Sequence, residues 1–254
     1  MQLRGKIGNK TWQHSPTPQL NHQGDQLHSI SFLDHTHQKA LLEAAASLAG
    51  LYWGPDAEGS RELLRGGYLK PFEALKPIVG YEPPDILDEL RAINTSFTDE
   101  YDFFQYLEQS YVRLFINSRD GITAPLYASC YEPGRAAGED APLMGPPAVL
   151  MKECFESKGL SLGDHIHEPP DHLAIELEYL YFLLEKGWAD DDAALKDEVV
   201  SFAGDVMLPW VVKFQERLAA VETECRFYHL TTAILCTILR FIGGSSKPQC
   251  SDEA

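Results

Sequence analysis

Apolar positions recur with helical spacing along most of the chain. Ala40, Leu41, Ala44, Leu48 and Leu51 repeat at intervals of three and four and stop before Gly54-Pro55, which predicts a helix capped by Asp34 or Thr36. Shorter helices are predicted around Ser60 to Leu64, over Leu69 to Val79 with interruptions at Pro71 and Pro77, and over Asp85 to Ile93. Ser96 to Asn117 reads as one helix, with Thr98 or Ser96 as cap. Its stripe is formed by Phe103, Phe104, Leu107, Tyr111, Leu114 and Phe115. The periodicity is lost between Ser118 and Pro142, a loop of about 25 residues, and loops of that length are commonly functional or disordered.

Helical spacing resumes over Pro147 to Lys158. After a non-helical stretch it returns in a helix entered through Pro169-Pro170, carrying Leu173, Leu177, Leu180, Tyr181 and Leu184 and ending at Gly187. Ala193 to Phe202, Pro209 to Val221 and Glu224 to Ile242 complete the series. Nowhere is period-two alternation sustained. The fold class expected is therefore all-α: a single-domain helical bundle of about 9–11 helices with a long central loop, its two sub-bundles joining near 160–170. Residues 1–34 read as a flexible polar arm, 35–244 as the folded domain and 245–254 as a polar tail.

Composition narrows the function. The 254 residues carry 21 Lys and Arg against 38 Asp and Glu, a formal net charge of -17. A phosphate backbone would be repelled, so nucleic acid is not an expected partner. The five cysteines form no CxxC pair, which argues against a disulfide framework and a structural zinc site and fits reduced thiols in the cytoplasm. No apolar signal core is evident in the first 26 residues. The most apolar stretch, Phe227 to Ile242, falls short of the ~20 residues a bilayer span requires and reads as a buried helix, so no stable membrane insertion is expected. Phosphate-binding glycine loops and GxSxG are absent.

The densest chemistry is Asp164-His165-Ile166-His167-Glu168-Pro169-Pro170-Asp171-His172, with Glu176 one turn further on. One reading is a metal-dependent hydrolase that binds its ion through His165, His167 and His172 with Glu176 as base. Neither HExxH nor an HD dipeptide supports it, and the spacing crosses a proline junction. A second is helix capping by Asp171 and His172. An ordinary histidine changes charge near neutrality, which opens a pH-linked role for His172. A third is a helical scaffold that binds a partner through its acidic face, with salt-sensitive affinity.

Glu168-Pro169-Pro170-Asp171-His172-Leu173, followed by Glu176-Leu177-Glu178-Tyr179-Leu180, resembles the E-P-x-D-H signature of the TorD/DmsD/NarJ-type chaperones. Tyr111-Val112-Arg113-Leu114-Phe115 is similar to their Y-x-x-L-F segment, and Ala124 to Tyr131 to their P-x-aromatic-x-S-x-aromatic loop. Leu143 to Pro147 matches the loop-to-helix entry, and order and spacing agree over about residues 36–242. Tyr127 and Tyr131 stand where some members have tryptophan.

The resemblance implies a cytoplasmic chaperone of anaerobic respiration, not an enzyme. Its partner would be the catalytic subunit of a molybdopterin-dependent oxidoreductase, bound through the twin-arginine leader or other parts and held for cofactor insertion before export. It implies no cofactor of its own, with weak guanine-nucleotide binding in some members, and either a monomer or a domain-swapped dimer hinged near the signature. The leader- or client-binding residues it implies, with the neighbours that complete them, are Glu168, Asp171, His172, Glu176, Tyr111, Leu114, Phe115, Tyr127, Ser129 and Tyr131. Because a leader offers two guanidiniums beside an apolar stretch, these residues are expected to converge on one groove of carboxylates and aromatic walls.

Overall fold

The computed structural model describes residues 29–116, 122–131, 144–221 and 225–244. Among them are ten α-helices and no strand. They are α1 (His35–Tyr52), α2 (Ala57–Leu64), α3 (Leu69–Val79), α4 (Ile86–Ser96), α5 (Glu100–Tyr111), α6 (Pro146–Ser157), α7 (Leu173–Ala189), α8 (Ala193–Ser201), α9 (Leu208–Ala219) and α10 (Phe227–Ile242). One contiguous apolar core runs from Ile30 to Ile242, so the expected division into two sub-bundles is not present among the described residues. The polar arm expected over 1–34 lies outside the described residues as far as 28. Its last part belongs to the fold: Ser29–Phe32 is a short 3-10 helix whose Ile30 is fully buried. The tail from 245 also lies outside the described residues.

Helix starts follow side-chain caps. The Asp34 side chain accepts from His37 N–H, and Asp192 accepts from Ala194 and Leu195 N–H. Asp99, not Thr98 or Ser96, caps α5, accepting from Tyr101 and Asp102 N–H. Neither proline interrupts α3. Pro71 lies in the first turn, where a missing N–H leaves nothing unpaired, and Pro77 stands near the end. The helix expected over 96–117 is α-helical only to Tyr111 and widens into a π-turn over Val112–Ile116. A second π-turn, Phe202–Met207, joins α8 to α9. Gly187 does not end α7. It lies inside the helix, where a Cβ would meet Leu195 and Lys196 at 3.6 and 3.5 Å, so the glycine permits close approach of α8.

The centre is aromatic. Buried Tyr52, at the end of α1, bonds through its hydroxyl to Thr232 Oγ1 at 2.7 Å. Its ring lies within 6.5 Å of Phe115, Phe214 and Tyr228. Helix α10 is buried along most of its length, as expected, and no helix among the described residues is long and apolar enough to cross a membrane. Where α10 ends, its backbone touches the second π-turn: a Cβ on Gly243 would stand 2.7 Å from the Gly204 Cα. Gly243→Ala is expected to destabilise the protein by about 1–3 kcal/mol, the usual cost of overpacking, as a lowered urea midpoint with unchanged slope.

Candidate client-binding site

The two sequence segments meet through backbone. Tyr127 and His172 form an isolated antiparallel bridge: Leu173 N–H donates to Leu126 O at 2.8 Å, and Ala128 N–H donates to Asp171 O at 3.0 Å. A strap of residues 122–131 is thereby laid across the entry to α7. Its far end is held from α9, where Lys213 Nζ donates to Tyr131 O (2.9 Å) and Arg217 donates to Cys130 O (3.1 Å) and covers the Tyr131 ring (4.4 Å).

Side chains lock the bridge. Asp171 is fully buried, and its Oδ2 accepts from Ser129 N–H at 2.9 Å and from Ser129 Oγ at 2.5 Å. Ser129 Oγ in turn accepts from Gly145 N–H at 3.2 Å, which ties in the start of α6. The second oxygen of Asp171 has no hydrogen-bond partner among the described residues. One turn into α7, Glu176 is also fully buried. Its Oε2 accepts from Trp210 Nε1 at 2.9 Å, while Oε1 has no partner among the described residues. Burial pushes its carboxyl well above the usual range, the indole bond opposes this, and nearby Asp171 adds to it. Burial thus favours the protonated form of Glu176.

His172 takes the capping role. Its Nδ1 accepts from Ala174 N–H at 3.2 Å at the start of α7. The ring stacks on Trp53 (5.3 Å, 19°) and meets Tyr127 edge-on (5.2 Å, 69°). Only 3% exposed, it is pushed down to about 4 by desolvation, against the upward pull of Glu168 and Asp171. The expected charge change near neutrality is thus displaced: between about pH 5.5 and 8 this imidazole is neutral.

The expected aromatic groove wall is not formed by the expected residues. Leu114, Phe115, Ser129 and Tyr131 are all buried at 4% exposure or less. Tyr131 packs on Trp210 and Phe214 and donates to Pro125 O. Leu114 and Phe115 stay on the inward stripe through the π-turn, and Val112, Arg113 and Ile116 are exposed. Three of the expected residues keep access to solvent: Glu168, Tyr111 and Tyr127, each half-buried. Tyr127 donates to Glu168 Oε2 at 2.6 Å, and Tyr111 donates to Tyr52 O at 3.0 Å. Burial raises both phenols; the Glu168 charge adds to this at Tyr111, and the Glu168 hydrogen bond and charge add to it at Tyr127.

The metal reading fails on placement. His165 and His167 are exposed while His172 is buried with Nδ1 engaged in the cap. Among the described residues no group of three or more His, Cys, Asp or Glu is arranged to hold an ion. Sequence reasoning missed Trp53 and Glu178. Trp53 ends α1, stacks on His172 and donates its indole N–H to Glu178 Oε1 at 2.6 Å. The only available signal was Glu178's place within the segment that follows the signature.

Residues 84–216 match the family described as nitrate reductase delta subunit, a span holding both the strap and the α7 entry. The chain belongs to that family. It is 35% identical over 133 residues to the chaperone protein TorD of Histophilus somni, covering 52% of this chain and 61% of that protein. Against the TorD of Photobacterium profundum, identity is 30% over 148 residues, 57% of this chain and 65% of that one. A TorD of Vibrio cholerae serotype O1 is 29% identical over 159 residues, 61% of this chain and 66% of that protein. The chain thus spans less than two thirds of the length of each of these relatives, all of which carry the name of a chaperone and not of an enzyme.

Proposed function

We propose that this protein is a cytoplasmic chaperone that binds the twin-arginine leader, the core, or both, of the catalytic subunit of a molybdopterin-dependent oxidoreductase and holds it for cofactor insertion before export. The observation that carries this reading is the backbone bridge between strap and α7 entry, where the half-buried Glu168 carboxylate accepts from Tyr127. A carboxylate beside a phenol ring suits a guanidinium, by charge and by stacking. Val112, Ile116 and Ile122 are exposed at the π-turn and the strap, which Ala124 N–H ties together by donating to Leu114 O. They offer apolar surface for the stretch that accompanies the arginines. The buried residues Asp171, His172, Glu176, Ser129, Leu114, Phe115 and Tyr131 would then act by positioning the joint. Weak guanine-nucleotide binding, and a choice between monomer and domain-swapped dimer, belong to the same proposal.

The test is affinity capture from the native host under anaerobic growth, comparing wild type with Glu168→Gln, which keeps the acceptor for Tyr127 and removes the charge. Wild type is expected to enrich one redox catalytic subunit, and Glu168→Gln to recover several-fold less. If no redox subunit is enriched from a host shown to express them, the proposal is wrong.

A further inference from the structure

Two acids occupy paired positions at the entry to α7. His172 caps that helix, so Asp171 is the residue just before the cap and Glu176 is the fourth residue of the helix. Side chains at these two positions meet where a chain enters a helix, and the pair is usually apolar. Here both are carboxyls, and both are fully buried.

Each carboxyl has one oxygen engaged and one left over. Asp171 Oδ2 accepts from the Ser129 N–H and hydroxyl, and Glu176 Oε2 accepts from the Trp210 indole. Asp171 Oδ1 and Glu176 Oε1 have no partner among the described residues. The elements packed around them supply no compensating cation. The strap contributes Ser129 and α9 contributes Trp210, both uncharged. From α6 comes the Cys154 thiol, which burial and then the Glu198 charge hold above its ordinary range. The His172 ring is neutral above about pH 4. Lys213 and Arg217 of α9 donate to the Tyr131 and Cys130 carbonyls, and Lys158, just after α6, pairs with Glu198. Two carboxylates here would repel each other in a dry site and leave two acceptors unmatched. One proton removes both penalties: it cancels one charge and makes one leftover oxygen a donor to the other.

We propose that Asp171 and Glu176 hold a single shared proton between Oδ1 and Oε1, and that this proton clamps the strap, α7 and α9 together. Asp171 is the acceptor for the strap and Glu176 the acceptor for α9, so the proton sits between the two attachments. When it passes to solvent, two like charges face each other and push the joint apart. What then remains between strap and α7 is the backbone bridge, with the Ala128 and Leu173 amides as its donors. The joint therefore loosens as pH rises. The clamp stands on the geometry of the joint and not on the client-binding reading; where that reading holds, release of the client follows the same proton.

Carbon NMR of the full chain, labelled at Asp Cγ and Glu Cδ, tests the sharing, with the two carbons assigned by through-bond correlation. In wild type both carbons are expected to respond to the same two pH steps, because the steps belong to the pair. Asp171→Asn keeps an oxygen for Ser129 and cannot ionise, so the proton affinity of Glu176 is expected to fall at least about tenfold in it. An Asp171 carbon that ignores the upper step in wild type overturns the shared proton, whether or not the variant folds. So does a Glu176 that titrates alike in wild type and Asp171→Asn. Amide hydrogen exchange tests the clamp. Protection of Ala128 and Leu173, corrected for base catalysis, is expected to fall about tenfold or more across the upper step in wild type and less than about threefold in Glu176→Gln over the same pH range. Protection that holds through that step in wild type overturns the clamp and leaves the client-binding reading standing.

Discussion

Asp171→Ala is expected to lower the thermal midpoint by roughly 5–15 °C, more than any exposed substitution at the site. The carboxyl accepts both the N–H and the hydroxyl of Ser129 in a region with no access to water. Leaving buried donors unmatched costs about 1–3 kcal/mol each, and a domain of this size loses about 2–4 °C per kcal/mol. The loss should extend further, because Ser129 also receives the N–H of Gly145 and so joins strap, α7 and α6. Asp171→Asn retains one acceptor for Ser129 and is expected to lose less than half as much. Differential scanning calorimetry of the two variants decides the matter, and an unshifted Asp171→Ala midpoint would show the joint to be unimportant for stability. Loss of client capture by Asp171→Ala would reflect a collapsed joint as readily as a lost contact, which is why Glu168→Gln is the cleaner probe of binding.

Glu176→Gln is expected to do the opposite as pH rises. The folded protein holds Glu176 above its unfolded value of 4.5. A group so raised contributes stability that is fully present below 4.5 and is lost as pH rises toward its folded value. Each pH unit in that window removes about 1.4 kcal/mol at the limiting slope. Glutamine keeps an oxygen for Trp210 Nε1 and cannot ionise. The midpoint of Glu176→Gln relative to wild type is therefore expected to rise as pH increases above about 4.5. His172 works the other way: its folded value is depressed to about 4, so its stabilising share is present above 6.5 and lost as pH falls toward 4. Since both proteins contain His172, its share cancels in the difference. A difference that stays flat over this range would mean that Glu176 ionises freely in the folded state.

The expected groove was legible in part. The sequence placed Tyr127 and Glu168 together with the α7 entry, and they do meet there. The family resemblance also named Leu114, Phe115 and Tyr131 as client contacts, and the structure buries all three. The π-turn over Val112–Ile116 adds backbone that no periodicity announces, while Val112, Arg113 and Ile116 remain the face presented to solvent. His172 was judged by composition alone, with acids on either side. Its actual state follows from desolvation between Trp53 and Tyr127, which outweighs those charges.

By itself the sequence determined the all-α class, the approximate spans of the helices and most of their buried faces, because the 3.6-residue period and the caps are local properties of the chain. Asp34 as a cap and the burial of Leu173, Leu177, Leu180 and Leu184 were readable in this way. Tertiary structure alone decided that Ser129 closes on Asp171 across 42 positions, that Trp210 holds Glu176 across 34, and that Trp53 reaches Glu178 across 125. It also decided that burial raises the Glu176 carboxyl and that Glu178 lies at a crevice. The physical reason is that hydrogen-bond partnership and desolvation depend on which distant residues exclude water from a side chain, and helical periodicity carries information only about neighbours one turn away.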